Sequence, residues 1–399
     1  MSKYIVPALL SILFSFSCIA QQELTAEMLE ASAFRFSLND QGKLEGEARE
    51  KWLNWIGNNQ FVGFAELHHS AQLGNITKAL INVLGEKDFE NFAIEMGPTS
   101  AKILQEATKE PDKTFNRIRE LNRKYGKNHR SKTPLIFANM VEDAPFLEEA
   151  SKLGFTFWGI DQEFAGSYEM LIDQIYENSS EKNEAFKGAY QEAKEVISKV
   201  IHKNKYKGQP VYCWYSFSEE IYNFLNQVQE PASIKIIEDI RESWDIYCKS
   251  ATGQVSNQQR ADYMKKNFEN YLDQHGAESK VFLKLGSIHL THGLSHFGVD
   301  DMGKFLTEKA ASNNTGFLNI RHLITYRNGK SNVGKKGWES TNLFLKTGKK
   351  DQWTVVDLRP FRESLNRGEI TASKSIVFEI MSYDLLLISP DDQYPKVNY

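Results

Sequence analysis

The chain has 399 residues, 41% of them hydrophobic and 25% charged, with a formal net charge of −4. That balance belongs to a folded globular protein and excludes a disordered one, and so mild a charge points to neither nucleic acid nor an anionic membrane as partner. The length suits two domains or one large α/β domain with an insertion, and the order of elements favours the second.

Lys3 precedes an apolar segment, residues 5–20, that is short for a bilayer span. Cys18 and Ala20 put small residues before Gln21, so residues 1–20 read as a secretory signal peptide and 21–399 as an exported chain, periplasmic or secreted. Cys18 also offers a lipid-anchored alternative, with Ser15 where such sites usually carry Leu. No later stretch is apolar for long enough to cross a membrane, so the mature chain is expected to lack a transmembrane span.

Short apolar strands are expected at 61–64, 92–94, 135–137, 155–160, 281–285, 317–320, 354–356 and 375–379, with a last run at 385–388. Helical spacing marks 75–84, 99–107 and 144–153 between the early ones. Strand alternating with helix predicts an α/β fold with a mostly parallel central sheet and flanking helices. From about 167 to 274 strand signals are few, and amphipathic patterns run through 181–202, 217–228, 232–247 and 258–274. This tract reads as a large helical insertion over the sheet, shaping a pocket within a single domain. Cys213 and Cys248 are free to pair in an oxidising compartment, and neither has the neighbours of an activated nucleophile. The basic stretches 203–207 and 346–350 read as solvated turns.

Titratable residues gather where strands end, which is where open α/β sheets bind ligands. Glu66, His68 and His69 follow the first strand, Glu95 closes the second before Gly97-Pro98, and His289 follows 281–285. A weaker end carries Asp161 and Glu163. In a parallel sheet these ends share one edge, and carboxylates with imidazoles there suit general acid–base chemistry on a carbonyl. One imidazole takes a proton from water, a carboxylate fixes its tautomer, and a second imidazole meets the developing oxyanion. A Gly-x-Ser-x-Gly elbow is absent.

The main reading needs no cofactor or metal. An alternative is Zn²⁺ held by His289, His292 and His296 on one helical face together with Glu66, although no His-Glu-x-x-His motif accompanies them. Trp158, Trp214, Tyr215 and Phe217 either floor a pocket or fill the core. His129 and His202 read as surface residues and His322 as structural. Arg260 either reaches the site or locks its helix to the sheet.

The string Gly63-Phe64-Ala65-Glu66-Leu67-His68-His69-Ser70 resembles the Gly-Glu-x-x-His-Gly signature of the erythromycin esterase-like proteins, with Glu66 and His69 at the matching positions. The stretch 92–95 is similar to that family's second strand, and 158–161 to its Tyr-Gly-Leu-Asp segment. Arg260, Met264 and Asn267 match a helix motif, 286–289 matches the second half of a His-x-x-His pair, and Asp357-Leu358-Arg359 a late Asp-Leu-Arg. The resemblance runs in order from about residue 50 to 360. It implies a hydrolase of an ester, lactone or related carbonyl, with His69 as general base and Glu66 as its partner. Glu95 becomes a second carboxylate, and His289 serves the oxyanion or leaving group. His68, Asp161, Glu163, Arg260 and His292 fall on the substrate-binding side. The chain departs from the family at Ala65, Ser70, Gln72 and Gly286, changes that touch the macrolide substrate and hydrolysis rather than the fold. Glu66-x-His68 also fits the Gly-Glu-x-His pattern of the related ChaN-type haem-binding lipoproteins, which would make His68 a haem ligand in an envelope protein without catalysis.

Overall fold

The structure, a computed structural model, describes residues 21–126, 133–180, 182–201 and 203–399. The signal-peptide reading and the surface readings of His129 and His202 fall outside the described residues.

Eight strands build the central sheet: β1 (Ala33–Phe36), β2 (Asn59–Glu66), β3 (Asn91–Ile94), β4 (Thr156–Gly159), β5 (Val281–Gly286), β6 (Gly316–Ile324), β7 (Trp353–Asp357) and β8 (Leu385–Ser389). Their order is β1-β7-β8-β6-β2-β5-β3-β4. From β8 to β4 every neighbouring pair is parallel, while β7 runs antiparallel to both β8 and β1. The chain leaves β2 for β3 and β4 and then returns to lay β5 between β2 and β3. The strand order therefore reverses beside β2, and the carboxyl ends of β2 and β5 meet at a switch point, the natural ligand crevice of such a sheet.

Central strands covered on both faces are apolar throughout. In β2, Val62 and Phe64 enter one core layer with Phe92, Phe282 and Ile320, while Phe61 and Ala65 enter the opposite layer with Leu283, Leu285 and Leu386. The helix Asn257–His275 covers the second face through Met264, Phe268 and Leu272. The tract before it has its own core of Tyr168, Leu171, Tyr215, Phe224 and Trp244. Within that helical insertion Cys213 and Cys248 form a disulfide with Cα atoms 4.6 Å apart.

Two expected strands are otherwise. Residues 135–137 form a turn: Phe137 has φ +64°, and the Ala138 amide bonds back to the Leu135 carbonyl at 3.1 Å. Residues 375–379 lie in the helix Lys374–Ser382. Ile376 and Val377 supplied the β-branched signal, yet Ile376, Glu379 and Ile380 are the buried positions, at helical spacing. Strand β1 was not foreseen from the sequence. Trp158, Trp214 and Tyr215 are core residues, whereas Phe217 is exposed. His322 is fully buried on β6, and burial holds its imidazole down to a pKa of about 3, so it stays neutral.

Candidate active site

Pairing in register sets Glu66 of β2 opposite Gly286 of β5, and Phe64 and Ile94 on either side of Lys284. By the two-residue alternation Glu66 and Lys284 share a face at the strand ends. The Lys284 ammonium bonds Glu66 Oε2, and both side chains are almost wholly buried (3% and 2% exposed). His68 Nδ1 lies 2.7 Å from Glu66 Oε1. Burial alone pushes the Glu66 carboxyl up; the Lys284 charge and the His68 hydrogen bond outweigh it and hold the pKa down to about 2. Burial pushes His68 the other way from its neighbours: the Glu66 bond and the charges of Glu95 and Glu66 prevail and raise its pKa. Glu66 is therefore a carboxylate that accepts the Nδ1 proton, leaving Nε2 as the working nitrogen.

That nitrogen points to the second carboxylate, with His68 Nε2 4.0 Å from Glu95 Oε2. Glu95 Oε2 accepts the Gly286 amide proton, and Oε1 accepts from Arg260 Nη2 at 3.0 Å. On the far side His289 Nε2 stands 3.8 Å from Glu95 Oε1, and it has no hydrogen bond among the described residues. His289 Nδ1 is 2.9 Å from Asp301 Oδ2, so both imidazoles have Nδ1 fixed by a carboxylate and Nε2 turned to Glu95. A side chain at Gly286 would have to displace the His68 ring. Its φ of −53° suits any residue, but a Cβ would come within 2.8 Å of His68 Nε2 and 3.1 Å of Glu95 Oε2.

A cavity of about 340 Å³ opens beside Glu66, His68 and Lys284, walled by Leu73, Ile136, Phe137 and Met140. Phe137 stacks on the His68 ring at 4.7 Å. A larger cavity of about 430 Å³ lies between the helix Pro98–Thr108 and the helices Pro231–Ala251 and Asn257–His275, and it holds none of the converging groups.

The sequence leaves the register of the two adjacent histidines open. His68, not His69, stands between Glu66 and Glu95; His69 is exposed with φ +69° and lines the mouth of the smaller cavity. Arg260 bridges two carboxylates. Its Nε lies 2.9 Å from Asp161 Oδ1 and Nη2 also bonds Asp161, while the same Nη2 reaches Glu95.

Three of the residues expected on the substrate side have their polar atoms engaged within the protein. Asp161 is fully buried and spends its carboxylate on Arg260 and on the Gln162 amide at 2.8 Å. Glu163 accepts from the amides of Thr99 at 2.8 Å and Ser100 at 3.2 Å, and so caps the helix Pro98–Thr108. Burial pushes its carboxyl up, to about 7. His292 has Nδ1 2.9 Å from Thr307 Oγ1 and Nε2 2.9 Å from Asp384 Oδ2. The helical face expected of His289, His292 and His296 does not form, because the chain is irregular between the short turn Ser287–His289 and the helix Met302–Ser312. His296 stacks on Phe378 at 3.9 Å. Among the described residues no group of three or more His, Cys, Asp or Glu side chains is disposed to hold a metal ion.

Sequence reasoning missed Lys284, Asp143 and Asp301. A lysine inside the apolar run Val281-Phe282-Leu283-Lys284-Leu285 was a usable signal, since a buried ammonium needs a partner. Asp143 accepts from the Met140 amide at 2.8 Å, and burial raises its pKa to about 7 against the pull of Lys284. Asp301 also caps its helix through the Met302 amide.

No protein-family model and no curated protein matches the chain. Solved structures do. A succinoglycan biosynthesis protein superposes with a TM-score of 0.58 at 16% identity, covering 94% of this chain and 98% of its own. A protein from Bacillus cereus gives 0.54 at 16% identity with the same coverage, 94% and 98%. A mutant of the erythromycin esterase EreC in its open conformation gives 0.53 at 14% identity, covering 93% and 98%. Identities so low speak for architecture and not for activity, and on that ground the chain shares its α/β fold with these structures, an erythromycin esterase among them.

Proposed function

We propose that this protein is a hydrolase of an ester, lactone or related carbonyl, working by acid–base activation of water from its own side chains. The observation that carries the reading is the His68 imidazole, held by Glu66 at 2.7 Å with its other nitrogen facing Glu95 and, beyond it, His289. Water bound at His68 Nε2 gives its proton to that nitrogen and forms the new C–O bond to the carbonyl carbon. Glu66 stabilises the imidazolium, and Glu95, oriented by Arg260 and the Gly286 amide, sits between the two rings. His289 meets the oxyanion and passes a proton to the departing alkoxide as the old C–O bond breaks. Acid and alcohol leave, and the proton that His68 took from water passes to His289, restoring both rings.

We also place the protein outside the cytoplasm. The first 20 residues read as a signal, and the Cys213–Cys248 disulfide suits an oxidising compartment. No helix among the described residues is long and apolar enough to cross a membrane.

The haem-binding alternative shares His68, since a carboxylate on Nδ1 leaves Nε2 as a ligand. The geometry fits it poorly. In this structure Nε2 faces the Glu95 carboxylate at 4.0 Å, an acid–base arrangement that favours the hydrolase. The deciding experiment assays residues 21–399 on p-nitrophenyl esters, lactones and macrolides, with and without EDTA, beside a haemin titration. Turnover that survives EDTA is the expected result. No turnover across the panel, with a Soret band that vanishes in His68→Ala, would replace the hydrolase by the haem protein.

A further inference from the structure

We propose that Lys284 is a positioning residue for this reaction, acting through Glu66 on the orientation and charge of the His68 imidazole. The inference rests on the hydrolase reading and adds a residue that touches no substrate. Lys284 sits in the middle of the sheet, between Phe64 and Ile94 in register, with its ammonium 5.6 Å from the centre of the Phe146 ring. A cation so enclosed is stable only through its partners.

The groups that face Lys284 come from four elements. Glu66 at the end of β2 takes the direct ion pair. Asp143, before the helix Ala144–Lys152, and Glu95, after β3, act on it through charge, and both raise its pKa against burial. His322 of β6 also feels it but stays neutral. His68 completes the set, one carboxylate away. Occupying Glu66 Oε2 leaves only Oε1 for His68, so the ammonium fixes which oxygen the ring meets and holds that oxygen ionised. Its charge also opposes the proton that Glu66 and Glu95 draw onto His68. Without that opposition the imidazole would hold its proton to higher pH and serve as a base only over a more alkaline range.

A buried lysine beside a cavity also invites a nucleophilic reading. A nucleophilic amine needs its pKa lowered, whereas the carboxylates around Lys284 raise it and occupy its protons.

The test reads His68 without needing a substrate. The imidazole is titrated by NMR in wild type, Lys284→Met and Lys284→Arg, and kcat and KM are measured over the same pH range. Lys284→Met should raise the His68 midpoint by about one pH unit, and the alkaline shift should reappear in kcat with KM little changed. Lys284→Arg should keep the midpoint within about 0.3 unit. An unmoved midpoint in a folded Lys284→Met overturns the proposal. If the methionine variant does not fold, the arginine variant decides: a midpoint displaced by about a full unit despite the retained charge overturns it as well. Failure of the hydrolase reading is a separate outcome, because the titration stands whether or not any substrate turns over.

Discussion

At the end of β2, His68 has one nitrogen on Glu66 and the other turned to Glu95 across a gap. After the end of β5, His292 has both nitrogens spent, one on Thr307 and one on Asp384. His292 packs on Phe317 beside the amino end of β8, away from the carboxyl edge where His68 sits, yet both are histidines with a carboxylate at hydrogen-bond distance. What separates them is the number of ring nitrogens left for chemistry. A fully bonded imidazole braces the loop between β5 and β6, whereas one held on a single side is aimed. His289 belongs with the first kind, held by Asp301 and facing Glu95.

The contrast is broken most severely by removing the carboxylate that aims His68. Glu66→Gln should lower kcat/KM by a factor on the order of a hundred or more. It also leaves the Lys284 ammonium buried without its partner, at a cost of about 3–5 kcal/mol in urea unfolding. The sign with pH follows from the depressed carboxyl. Its stabilisation is present above the ordinary value of 4.5 and is lost as pH falls toward about 2. The wild type should therefore lose stability across that window more steeply than Glu66→Gln. His68, raised in the folded protein, contributes stability below 6.5 that fades as pH rises through its folded midpoint. Since the base must be neutral, kcat/KM should rise with pH around a midpoint above 6.5.

A smaller effect comes from the insertion. Reducing Cys213–Cys248, which closes a loop of 35 residues, should destabilise the helical insertion by about 2–4 kcal/mol, read as a thermal shift with and without reductant. The smallest change sharpens the comparison from the bracing side. His292→Asn should lower stability by about 1–2 kcal/mol while leaving kcat/KM within about twofold of wild type. A large loss of activity in a folded His292→Asn would put that residue back among the functional ones.

Much of this was legible from residues with strong periodicity. The apolar runs of β2, β5 and β8 are buried on both faces and left little choice of element, and the strand-end rule pointed to Glu66, Glu95 and His289, which the structure places around His68. Failures fall where a local signal competes with a tertiary one. Ile376 and Val377 favour a strand, yet the burial of Ile376 and Ile380 makes a helix. The spacing of His289, His292 and His296 carries meaning only on a helix, and that stretch is irregular. The choice between His68 and His69 depends on the backbone turning at His69, φ +69°, which no pattern of neighbours announces. Lys284 was visible as a charge in an apolar strand, but its partner was not, because Glu66 lies more than two hundred residues away in sequence.

The central claim is that His68 is the working imidazole and His69 is not. The measurement that tests it most directly is kcat/KM for His68→Ala and His69→Ala, side by side, on whichever ester or lactone the wild type hydrolyses. The account predicts a loss of about a hundredfold or more for His68→Ala and a change within about threefold for His69→Ala. The reverse pattern, with His69→Ala inactive and His68→Ala near wild type in a folded protein, would contradict it.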